Sequence, residues 1–171
     1  MLNNSILVAE KLTKWLAIIG GVIILVQMVW ISIGVFKRYI LGNPDGYVTE
    51  ATALLLFPVA FLGLAFALKE NAYPTVTFAV DVLKGRSKRI LLIFNFFIMV
   101  CLGIFFSTAA VDATLKSFVS GSSSEILLWP RYLFWMPCAF SFVLFTWYAF
   151  LRLIAIAIGQ APELSDLDKE S

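Results

Sequence analysis

Charged residues are spaced along this chain so that four long intervals contain none. The intervals lie between Lys14 and Lys37, Glu50 and Lys69, Arg89 and Asp112, and Arg131 and Arg152, with 22, 18, 22 and 20 uncharged residues between those bounds. A helix needs roughly 20 apolar residues to cross a hydrocarbon layer about 30 Å thick. The pattern therefore predicts an all-α integral membrane protein with four transmembrane helices, at about residues 15–36, 51–68, 90–111 and 132–152. Barrel strands would alternate apolar and polar positions. Ile18–Val29 and Ile90–Phe106 do not alternate. An open sheet would leave backbone groups unsatisfied in lipid. The first apolar run is longer than a signal-peptide core, and no small-x-small site follows Phe36, so it is expected to remain as a membrane helix.

Two segments are expected to lie on the membrane instead of through it. On a helical wheel Asn3, Glu10, Lys11 and Lys14 share an arc of about 100°. Leu2, Ile6, Ala9, Leu12 and Leu16 fall opposite, with Leu7 breaking the pattern. Residues 2–16 thus read as an N-terminal amphipathic interfacial helix. Between the second and third spans, Val76, Ala79, Val80 and Leu83 fit a helix, while Val76, Phe78, Val80 and Val82 fit a strand. Pro74 before this segment and Gly85 after it favour a short interfacial helix. The Gly121–Ser124 run reads as a flexible loop. Residues 1–158 form one membrane domain, and 159–171 a polar cytoplasmic tail.

Composition agrees with this reading. The chain is 61% hydrophobic and 14% charged, with a mean hydropathy of +0.92. Soluble domains carry about 25% charged residues. The net charge of +2 gives no reason to expect nucleic acid. There is no histidine, the commonest general base and metal ligand. Cys101 and Cys138 both fall within spans, where small apolar packing is the expected role. No enzyme, cofactor or metal site is expected. Of the 13 basic residues, nine fall on the side holding the N-terminus, the middle loop and the C-terminus, and four on the other. Positive charge marks the cytoplasmic side, so both ends are expected there. Lys84, Arg86, Lys88 and Arg89 dominate this bias and are candidate contacts for anionic phospholipid. Trp15, Trp30, Tyr39, Tyr47, Trp129, Tyr132, Trp135, Trp147 and Tyr148 lie near span ends, as aromatic belts do.

Within the spans the polar candidates are uncharged: Gln27, Ser32, Thr52, Asn95, Ser107, Thr108, Ser141 and Thr146. Coupled carriers place ionisable groups near mid-membrane, or break paired helices there. This chain does neither, so hydrogen bonds between helices are the expected use of these groups. Arg38 and Glu50 bracket the first loop and form a candidate outer-interface ion pair. Ala60, Gly63 and Ala67 form a small-residue face that suits close approach of a partner helix.

Several positions, taken in order, resemble the small membrane subunit of tripartite ATP-independent periplasmic (TRAP) transporters. They are Arg38-Tyr39 ending the first helix, Gly42-Asn43-Pro44 in the loop, Glu50 opening the second helix, and Gly63 within it. Lys69-Glu70 then closes that helix, Val76–Leu83 with Asp81 follows, and Pro137 comes early in the fourth span. The likeness covers about residues 10–158. Two departures are Thr49-Glu50, where the family often has two acids, and Asn71-Ala72-Tyr73, where it often has a histidine. The resemblance implies a scaffold subunit in the bacterial inner membrane. Its partners would be a large membrane subunit that carries substrate and sodium, and a periplasmic protein that delivers an organic acid such as a C4-dicarboxylate or sialic acid. A self-contained four-helix multidrug exchanger is the alternative, and it needs a carboxylate in its first helix. Lys14 to Lys37 encloses none. A lipid-modifying enzyme would need His, Asp or Cys clusters at the interface.

Overall fold

The computed structural model describes residues 2–43, 46–70, 72 and 86–159. Its elements are α1 (Leu2–Tyr39), α2 (Gly46–Leu62), α3 (Leu64–Lys69), α4 (Arg86–Ser120) and α5 (Tyr132–Ile158). With α2 and α3 counted as one span, four helices are long and apolar enough to cross a membrane. The segment at 74–85, with its helix-or-strand question, lies outside the described residues, as do Lys84 and residues 160–171.

The N-terminal segment departs from expectation. No break separates it from the first span: α1 is one helix of 38 residues, about 57 Å at 1.5 Å per residue. Ala9 and Thr13 are buried, and Ile6 and Leu16 pack against the cluster that holds Ala65, Leu68 and Tyr148. The apolar face expected to lie in the interface covers the chain's own bundle. Leu12 alone of the described members of that face is well exposed.

The inner face of α1 is narrow. Ala9, Thr13, Leu16, Gly20, Ile23 and Gln27 are buried or half-buried, at alternating steps of four and three residues. That is the 3.5-residue spacing of a coiled-coil seam. The seam is mostly small or polar, while Trp15, Val22, Leu25, Met28 and Trp30 turn outward. It runs antiparallel along α2. A Cβ at Gly20 would meet Leu62 at 3.3 Å, and one at Gly34 would meet Val48 at 2.6 Å. Between them Gln27 Nε2 donates to the Thr52 carbonyl at 3.2 Å. Small residues allow such backbone approach where no aqueous hydrophobic force drives helices together.

The seam of α4 follows the same rule. Phe96, Val100, Gly103, Ser107, Ala110, Thr114 and Ser117 step by four and three, and all are buried or half-buried. Gly103 is the close-approach point: a Cβ there would stand 2.5 Å from Thr146 Oγ1 and 3.2 Å from Thr146 Cα. One turn further, the Ser107 and Thr146 hydroxyls share a hydrogen bond of 3.0 Å.

Every other helix packs on α5, which has the largest share of buried residues of the four spans. Cys138, Ser141, Tyr148, Ala149 and Ile156 are wholly or almost wholly enclosed. Tyr148 is therefore a core residue and no part of an aromatic belt. Trp15, Trp30, Tyr39, Tyr47, Trp129 and Trp147 are exposed as a belt requires. Cys138 fills the core as expected, whereas Cys101 faces outward.

The second span is interrupted between α2 and α3 at Gly63. Pro58 lies one turn earlier and cannot donate to the carbonyl four residues before it. A helix end leaves its last carbonyls without regular partners. Buried Ser141 Oγ answers one of them, donating to the Phe61 carbonyl at 2.7 Å. The core helix thus adds a hydrogen bond at the interruption.

Candidate functional site

The densest polar constellation lies at the end of the bundle formed by the start of α2 and the α4–α5 loop. Gly121, at φ +60°, turns the chain out of α4, a conformation that costs glycine little. The loop then folds on itself. Ser123 pairs with Pro130 in an antiparallel bridge. Arg131 N–H donates to the Ser122 carbonyl at 3.0 Å and Ser124 N–H to the Trp129 carbonyl at 2.9 Å. Buried Ser124 accepts the Trp129 N–H on its Oγ at 3.0 Å, and Ser122 shares a hydroxyl bond with Ser117 of α4. The run expected to be a flexible loop is an organised one.

This folding leaves three consecutive amides, at Glu125, Ile126 and Leu127, aimed at one point. The Glu50 carboxylate occupies it. Oε1 accepts from Glu125 N at 2.6 Å and Oε2 from Leu127 N at 2.6 Å, while Ile126 N reaches both oxygens at 3.0 Å. Successive amides that converge in this way form an anion-binding concavity. Hydrogen bonds to an ionised acceptor are also the stronger kind. Leu128 completes the turn at φ +53°, a region that non-glycine residues enter only when their surroundings hold them there. Ile126, Leu128 and Trp129 remain exposed on the tip. Glu50 clamps the fourth-span loop to the second span.

The expected Arg38–Glu50 ion pair is not formed among the described residues. Glu50 is turned to the loop, where backbone donors surround it, and Arg131 is the cation whose charge reaches it. Arg38 instead lies over the Tyr39 ring, Cζ 5.6 Å from its centroid. Ala60 is exposed and Ala67 half-buried, and nothing lies within 4 Å of where a Gly63 Cβ would be. The inner-end basic residues divide. Lys88, in the first turn of α4, is half-buried. Arg89 donates to the Ala157 carbonyl at 2.5 Å, placing a cation at the negative end of α5. The serine contacts at 122 and 124 had no mark in the sequence beyond residue type, whereas Ser141 makes the interhelical bond expected of it.

The polar groups inside the spans are used locally. Ser32, Thr52, Thr108 and Thr146 each donate to a carbonyl of their own helix, while Gln27, Ser141 and the Ser107–Thr146 hydroxyl pair bridge helices. Arg152, near the C-terminal end of α5, is the one charged residue buried among the described residues. Those residues also contain no group of three His, Cys, Asp or Glu side chains.

The amide clamp makes a testable prediction. Replacing Glu50 by alanine should speed hydrogen exchange at Glu125, Ile126 and Leu127 and leave the middle of α4 unchanged. Glu50→Gln keeps one acceptor oxygen and should fall between. Unaltered exchange in Glu50→Ala would contradict the clamp.

These features define a small four-helix integral membrane protein whose polar groups hold helices and loops together. A family model extends the definition: it matches residues 27–158, covering α1 from Gln27 to the end of α5. The chain belongs to the DctQ component family of tripartite ATP-independent periplasmic transporters. No curated protein and no solved structure matches it. The family is one of transporter components and not of enzymes.

Proposed function

We propose that the chain is the small scaffold subunit of a sodium-coupled, binding-protein-dependent importer of an organic acid, such as a C4-dicarboxylate or sialic acid. In this reading a large membrane subunit moves the substrate and a periplasmic protein delivers it. The observation that carries the reading is how the intramembrane polar groups are used. No described span buries a carboxylate, and the serine, threonine and glutamine side chains that form hydrogen bonds there serve helix geometry or helix joining. A carrier needs a group that changes partner during transport, and a scaffold does not. Family membership supplies the assembly.

The outward face of α2 and α3, with Ala60, Gly63 and Ala67, is the proposed contact with the large subunit. Affinity capture of the tagged chain from its native membrane should bring down the large membrane subunit. A Gly63→Leu chain should fold but lose it. Capture undiminished by that change would move the contact elsewhere.

In the same reading the chain lies in the bacterial inner membrane with its N- and C-termini cytoplasmic, following the nine-to-four basic split. The basic cluster of Lys84, Arg86, Lys88 and Arg89 is the proposed contact for anionic headgroups there. Reporter fusions at Asn43 and Ser123 should then report the periplasm, and those at Gly85 and Ser171 the cytoplasm. A periplasmic signal at Gly85 would overturn this topology.

A further inference from the structure

Glu50's engagement with the loop leaves Arg38 without the counter-ion expected for it, and no carboxylate among the described residues takes that place. Arg38 stands at the mouth of a groove between α1 and α2, with a cavity of about 420 Å³. Ile31, Val35 and Arg38 lie on its α1 side and Thr49 and Thr52 on its α2 side. The close approach of Gly34 to Val48 brings the two helices together there. From Arg38 to Ile31 is seven residues, about 10 Å along the axis. Polarity falls along that distance. Arg38 and Thr49 are at the end next to the clamp; further in, Val35 and Ile31 line the α1 side, and the Thr52 hydroxyl on the α2 side is spent on the Val48 carbonyl of its own helix.

We infer that this groove binds one anionic glycerophospholipid, with its phosphate on Arg38 and an acyl chain along Ile31 and Val35. Charge complementarity selects the occupant. Arg38 ends an apolar run that spans a hydrocarbon core, so its head lies at phosphate depth. A guanidinium holds phosphate oxygens in a planar fork. Arg38 lies on the opposite end of the bundle from Lys88 and Arg89, so this site is separate from the basic cluster of the middle loop. Seated here, the lipid would fill the α1–α2 gap beside Gly34.

Native mass spectrometry of the full chain tests the site. The chain is released from micelles that contain phosphatidylglycerol or phosphatidylcholine with the same acyl chains. The wild-type chain should retain phosphatidylglycerol over phosphatidylcholine by about fivefold, as expected for one cation at a headgroup. Arg38→Gln should remove the preference, lowering phosphatidylglycerol retention more than phosphatidylcholine retention, and Arg38→Lys should keep most of it. Lys116→Gln, an exposed cation paired with Asp112, should have no effect. Val35→Trp, which fills the groove, should lower retention of both lipids. Equal retention of the two lipids by the wild type would overturn the inference, as would a preference that survives Arg38→Gln. Stripping of phosphatidylglycerol by excess succinate would assign the site to a small carboxylate instead. Cross-linking of Val35→Cys to a neighbouring protein helix would give the groove to protein, and that too would overturn it.

Discussion

Replacing Gly103 by leucine is expected to separate α4 from α5 and to destabilise the chain by about 3 kcal/mol, the upper part of the usual range for overpacking. The physical reason is local. A Cβ at this position would stand 2.5 Å from Thr146 Oγ1, 3.2 Å from the Phe145 ring and 3.2 Å from the Thr146 backbone. A hydroxyl can rotate away, but a helix backbone cannot yield without moving the helix. Displacing α5 would also break the Ser107–Thr146 hydroxyl bond. Interhelical bonds of this kind contribute about 0.6 kcal/mol in membranes. Gly21→Leu is the matched control, because nothing lies within 4 Å of its added Cβ. Unfolding of the two variants in detergent should show a large loss for Gly103→Leu and almost none for Gly21→Leu. Equal stability of the two would mean that the α4–α5 crossing is not as tight as described.

That contrast shows where the sequence was informative. The four spans were legible because excluding charge from lipid is a strong, local and length-bound requirement. The helix faces were not, because lipid is as apolar as a bundle core and apolar periodicity carries no signal there. Small and polar residues mark the seam instead. Thr13, Gly20, Gln27 and Gly34 recur every seven residues along α1, and each faces a neighbouring helix or its own bundle. Read for small residues, the same sequence would have separated Gly20, Gly34 and Gly103, which serve internal packing, from Gly21 and Gly63, which do not. The inward packing of the N-terminal segment was hidden for a related reason. An amphipathic stripe fits a bundle as well as a membrane surface, and only the packing of Ala9 and Thr13 distinguishes them.

At the candidate site the sequence disclosed half of an interaction. Glu50 stood out as an acid at the start of an apolar span, and Arg38 was the nearest cation across the loop. Its actual partners are backbone amides at Glu125, Ile126 and Leu127. Amides leave no trace in side-chain identity, and these lie 75 to 77 residues away. A charged side chain near a membrane surface seeks donors of any kind, so pairing charges by proximity in sequence overlooks the backbone.

The second large effect concerns transport itself. Deleting this chain from a complete transporter should abolish uptake, yet this chain alone should move nothing. The buried groups along its spans are neutral and already hydrogen-bonded or apolar, and the charged Arg152 lies near one end of α5. A substrate anion inside hydrocarbon needs compensating charge or a water-filled path, and the one buried charge among the described residues, Arg152, lies near an end of α5 and not at mid-span. In the proposed scaffold reading a separate carrier subunit provides them, and the family to which the chain belongs is a component of tripartite transporters.

The most direct measurement is uptake of labelled organic acid into proteoliposomes under an inward sodium gradient, with the periplasmic binding protein outside. Vesicles with this chain alone should show no uptake above protein-free vesicles, and vesicles with both membrane subunits should accumulate the acid. Sodium-driven accumulation by this chain alone would contradict the scaffold account.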